Sequence, residues 1–151
     1  MQDNITLASI YRLTAVNFWE SAKKLDMTLE KRNDGSPTKV TAIPFYFLIS
    51  HAVELFLKSA LLKRGFTEND IKKYDYRHDL DSLLVALQKK DVNVSPETVT
   101  MINGLNVLHK THALRYDALL KSGKKFWPPT HLLLQMHDEL LSLTRISTHN
   151  S

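Results

Sequence analysis

Residues 42–65 read AIPFYFLISHAVELFLKSALLKRG, and this stretch decides the fold. Ala52, Val53, Leu55, Phe56, Leu57, Ala60, Leu61 and Leu62 cover nearly the whole circumference of a helix, which predicts a central helix contacted on several sides. It begins near Thr41, where Pro44 falls in the first turn and leaves no ladder bond unmade. It runs to Arg64 and stops at Gly65, a residue suited to the left-handed position after a helix. Ala42 to Leu62 is long enough to span a bilayer, but it carries His51, Glu54 and Lys58. Two ionisable groups near the bilayer centre would cost about 2.5–3.5 kcal/mol each, so the stretch reads as the buried helix of a soluble bundle. Met1-Gln2-Asp3-Asn4 lacks the cationic start and apolar run of a signal peptide, and a cytoplasmic location with no membrane contact is expected.

Working outward, Ala8, Tyr11, Ala15, Phe18, Ala22, Leu25 and Leu29 recur at alternating three- and four-residue steps and predict a first helix from about Ile5 to Arg32. Asn33-Asp34-Gly35-Ser36-Pro37 then breaks it. A loop from Phe66 to Arg77 leads to a third helix with Leu80, Leu83, Leu84 and Leu87 inward and Asp79 as its cap. Ser95-Pro96-Glu97 opens a fourth helix that carries Val99, Ile102, Leu105 and Leu108 toward Tyr116. A last helix is capped by Thr130, with Leu133, Met136, His137, Leu140 and Leu143 along it. Nothing alternates with period two for long enough to make a strand, so the expectation is an all-α, up-and-down, mostly antiparallel bundle of about five helices.

The chain has 151 residues, the size of one domain, and residues 1–151 are read as a single bundle. There are no cysteines, which removes disulfides, thiol nucleophiles and thiolate metal sites, and the four glycines are too scattered for a phosphate-cradling loop. The net charge is +4, but Lys31-Arg32, Lys63-Arg64, Lys89-Lys90 and Lys124-Lys125 all stand at or beyond expected helix C-termini. There cations offset the dipole, so the charge reads mainly as helix-end chemistry.

His51, Glu54 and Lys58 share one face of the apolar helix. Either they form an ion pair that fixes how the helix packs, or they line a polar pocket. His109 and His112 stand one turn apart, an acceptable metal spacing, with a third ligand available only from His78, Glu54 or Asp79. Two ligands do not make a site, and neither a metal nor another cofactor is expected. Arg115-Tyr116 either stabilises a helix end or grips a phosphate and stacks on a base. Lys124 to Pro129 either folds Phe126 and Trp127 over the bundle end or presents a stacking patch.

The run from His51 to Gly65, followed by His78-Asp79-Leu80 at the next helix start, resembles the HEPN superfamily of helical domains, whose members commonly show an E-L-x-L-K-type second helix and an H-D-L-type third-helix start. Asn106, His112, Arg115 and Tyr116 look like the polar positions that many bacterial members carry before an R-Y ending. The resemblance covers about Ile5 to Tyr116. It implies a helical bundle, a homodimer, and association with a nucleotidyltransferase or an antitoxin in toxin-antitoxin, phage-defence or mobile-element systems. Many members are metal-independent endoribonucleases with an arginine, four to six residues, then a histidine. Here Arg145 and His149 have only three residues between them, and no other arginine has a histidine at the required distance. The expectation is therefore a non-catalytic domain binding RNA, a nucleotide or a protein through Glu54, Lys58, His78, Asp79, His112, Arg115 and Tyr116. A divergent ribonuclease, with His78 or His109 as general acid or base, and a purely structural dimerisation module are the alternatives.

Overall fold

The computed structural model describes residues 2–38, 42–73, 76–110 and 127–145. The fold is all-α. Its helices are α1 (Gln2–Asp26), α2 (Ile43–Leu62), α3 (Glu68–Ile71), α4 (Leu80–Gln88), α5 (Pro96–Lys110), α6 (Thr130–Leu134) and α7 (His137–Leu143). Among the described residues there is no strand, only an isolated bridge between Lys31 and Pro37.

α2 lies in the middle and touches α1, α3, α4, α5 and α7. It is the one helix among the described residues apolar and long enough to cross a membrane, and it is largely buried inside the bundle. Pro44 sits in its first turn. At its other end Gly65 has φ 94°, and the Phe66 N–H reaches back 3.1 Å to the Leu61 carbonyl. α1 packs antiparallel along α2, with Phe18 edge-on to His51 and Asn4 Nδ2 donating to the Phe66 carbonyl. The deepest residues of α1 are Ala8, Ala15, Trp19 and Ala22, whereas Tyr11, Phe18, Leu25 and Leu29 are only half-buried. Alanines seven apart let the two backbones approach, close enough for Ser59 Oγ to donate to the Ala8 carbonyl at 2.7 Å.

α1 stops at Asp26, short of the expected Arg32. Both the N–H and the hydroxyl of Thr28 turn back to the Leu25 carbonyl, the local competition that ends helices at threonine. Residues 30–38 then fold on themselves: Arg32 N–H donates to Ser36, Thr38 N–H to Glu30, and the Arg32 guanidinium to the Pro37 carbonyl. Lys31 and Arg32 are thus loop residues, and Lys31 pairs with Asp26 at 2.7 Å. Within the expected 66–77 loop lies the single turn α3, closed by a capping box between Thr67 and Asp70.

α4 and α5 pack antiparallel through Leu80, Leu83, Leu84 and Leu87 on one and Ile102, Leu105 and Leu108 on the other, all buried. The expected last helix is two, broken at Gln135 and Met136, and its N-cap is Pro129 instead of Thr130. Thr130 is buried, and its N–H donates to the Gly35 carbonyl. α7 runs in the same sense as α2, since His137 meets Phe56 and the Leu143 carbonyl accepts from Arg64 at 2.7 Å. Arg64 thereby serves a helix end, that of α7 as well as its own. Trp127 packs on Tyr46 with ring centroids 4.7 Å apart, and the Tyr46 hydroxyl donates to the Pro128 carbonyl, so this part of the segment does cover the bundle.

Candidate functional site

Glu54 projects from the middle of α2 and is 2 % exposed. A lone carboxylate there would be costly, and three cationic or hydrogen-bonding side chains converge on it. Lys58, one turn on, places Nζ 2.5 Å from Oε1. His109 Nε2 lies 2.6 Å and His78 Nδ1 3.2 Å from the other oxygen, Oε2. Burial is the largest influence on the carboxyl and opposes its ionisation. The His109 hydrogen bond and the Lys58 ammonium together outweigh it and hold the group well below the usual carboxylate range.

His78 precedes the α4 cap and adopts φ 58°, in the left-handed region that few residues other than glycine and asparagine enter. That conformation is what turns its ring toward Glu54 while the next residue, Asp79, caps α4. Asp79 Oδ1 accepts from the Ser82 N–H and from Asn106 Nδ2, and its Oδ2 pairs with Lys110 at 2.8 Å. Asn106 in turn accepts from the Leu80 N–H at 2.8 Å, so its amide serves both the cap and the first helical N–H of α4. Burial again opposes ionisation of Asp79, and the Lys110, Ser82 and Asn106 hydrogen bonds reverse the effect and lower its pKa.

The structure therefore brings together Glu54, Lys58, His78 and Asp79, four of the residues singled out from the sequence. His112, Arg115 and Tyr116 lie outside the described residues, as do Lys124, Lys125 and Phe126. His51 packs between Phe18 and Phe47 within the α1–α2 layer. Of three neighbours on α5, Asn106 and His109 were singled out in the sequence but not placed in the groove, and Lys110 was not singled out. Their signal was present as spacing, since positions i, i+3 and i+4 form one helical stripe.

A separate cleft of about 510 Å³ lies between the start of α5 and α6–α7, lined by Thr98, Met101, Leu132, Met136 and Glu139. Glu139 there accepts from the Ser95 N–H and from the hydroxyls of Ser95 and Thr98, closing the N-terminus of α5. Its acid chemistry is committed to that cap. The Glu54 cluster has the richer chemistry: two imidazoles on one carboxylate oxygen, with the His78 side chain a quarter exposed. No family model, curated protein or solved structure matches the chain.

Proposed function

We propose that the chain is a HEPN-like helical domain that binds RNA without cleaving it, as a dimer, through the surface above the Glu54 cluster. The observation that supports this reading is the chain of polar side chains linking α2, the start of α4 and α5. In it the donors Lys58, His78, His109 and Lys110 gather around the two acids Glu54 and Asp79. Lys110 has a largely exposed side chain and can exchange its acid partner for a phosphate. The test is a salt-dependent titration of a mixed-sequence single-stranded RNA, with light scattering for the dimer. Binding should weaken as salt rises, and Lys110→Ala should reduce the salt slope by about one. No affinity at any salt concentration overturns the reading.

A second reading rests on the shared oxygen of Glu54. A carboxylate that orients His109 beside a second imidazole is also the arrangement of an acid–base pair, which a divergent metal-independent ribonuclease needs. RNA cleavage in the presence of a chelator, lost in His78→Ala and in His112→Ala with Arg115→Ala, would replace the binding reading with this one.

A further inference from the structure

Glu54 Oε2, His78 Nδ1 and His109 Nε2 come from three different helical regions, and all three atoms lie within 4.8 Å of one another. Around a tetrahedral ion with bonds of about 2.0–2.1 Å, ligand atoms stand about 3.4 Å apart. The His78 distance to Oε2, 3.2 Å, approaches that spacing, and the His109 distance, 2.6 Å, is a hydrogen bond that must lengthen to admit an ion. The rings of His78 and His109 stand edge to face at 78°, with centroids 5.9 Å apart.

We propose that Glu54, His78 and His109 bind a divalent transition-metal ion of the Zn²⁺ class. Two imidazoles and one carboxylate suit zinc, cobalt or nickel and disfavour magnesium and calcium, which take oxygen donors almost alone. Three protein ligands leave a fourth position, and the His78 side chain is partly exposed. Lys58 holds Oε1 and so presents Oε2 to the ion, the outer-shell role that orients a ligating carboxylate. One feature fits this use: His78 keeps a left-handed backbone, which few residues other than glycine and asparagine adopt, with its ring on Glu54. Each imidazole ligates through a ring nitrogen that carries no proton. The proposal is independent of RNA binding, because the metal is titrated alone.

The test is calorimetric titration of the full chain with Zn²⁺, together with the visible spectrum of the Co²⁺ form, which separates four-coordinate from hydrated metal. One ion per chain is expected. His78→Asn is the informative variant: asparagine accepts the left-handed backbone, so the fold is kept, while its amide is a poor zinc ligand. It should weaken Zn²⁺ binding by about tenfold or more, with an unchanged far-ultraviolet circular dichroism spectrum, and Glu54→Gln should do the same. His131→Ala, on α6, should leave binding unchanged. No saturable one-to-one binding overturns the proposal, and so does one-to-one binding that His78→Asn and Glu54→Gln do not weaken.

Discussion

Nε2 of His109 lies 2.6 Å from Oε2 of Glu54, a contact between residues 55 positions apart that joins α5 to the centre of α2. Its partner on the other oxygen, Lys58, is only one turn away. The cluster is therefore half local and half tertiary, and each half has its own measurable consequence.

Removing the carboxylate leaves Lys58, His78 and His109 facing an apolar helix without a counter-charge. Glu54→Ala should destabilise the fold by about 3 kcal/mol, the scale for breaking a buried pair from one side. Glu54→Gln keeps a hydrogen-bond acceptor and should cost less. Urea denaturation monitored by circular dichroism measures both, and a loss below about 1 kcal/mol for Glu54→Ala would mean that the cluster relaxes around the gap.

Stability should fall in acid in a way traceable to the same group. The Glu54 carboxyl is held below its ordinary range in the fold, and those of Asp79 and Glu139 are shifted in the same direction. The unfolded chain therefore takes up protons first as pH drops. Each contribution is complete above about pH 5 and is lost as pH falls toward the folded value. Glu54→Gln should flatten the stability–pH curve between about pH 5 and 3. An acid transition parallel to that of the unmodified protein would assign the dependence to other carboxylates.

Asn106 serves two buried groups at once, the Leu80 N–H and the Asp79 carboxylate. Asn106→Ala should cost about 2 kcal/mol by leaving them unpaired. Asn106→Asp should cost more, since it sets a second carboxylate against Asp79. Lys110→Ala removes an exposed partner of the same acid and should change stability by at most about 1 kcal/mol. Thermal unfolding of the three variants gives the order directly.

Gly35 and Gly65 both have positive φ, but only one is crowded. A Cβ at Gly35 would stand 2.5 Å from the His131 ring, whereas at Gly65 it meets nothing within 4 Å. Gly65→Ala should cost about 1 kcal/mol for the backbone alone. Gly35→Ala should cost more, by displacing His131 from the 30–38 loop. Equal melting temperatures for the two variants would show that the His131 ring moves aside freely.

Several elements were legible in the sequence because their causes are local. α2 is apolar on all sides with proline in its first turn and glycine after its end, Asp79 is followed by the leucines of α4, and Ser95-Pro96-Glu97 starts α5. The end of α1 was not legible. Its periodicity continues past Asp26, and the chain leaves the helix because Thr28 competes for the Leu25 carbonyl and residues 30–38 find partners of their own. The break between α6 and α7, and the burial of Trp19 ahead of Phe18, likewise depend on which surface of α2 each helix meets.

For the site, the sequence by itself determined that a carboxylate and an ammonium share one face of an apolar helix, and that a histidine and a capping aspartate open the next. These follow from helical spacing and from the chemistry of helix ends. Only the tertiary structure decided that His109 and His78 join Lys58 on the carboxylate, and that Asn106 and Lys110 complete the Asp79 cap. A buried charge must be satisfied wherever donors can reach it. Which donors those are is set by how three helices cross, a distance in space that spacing along the chain does not carry.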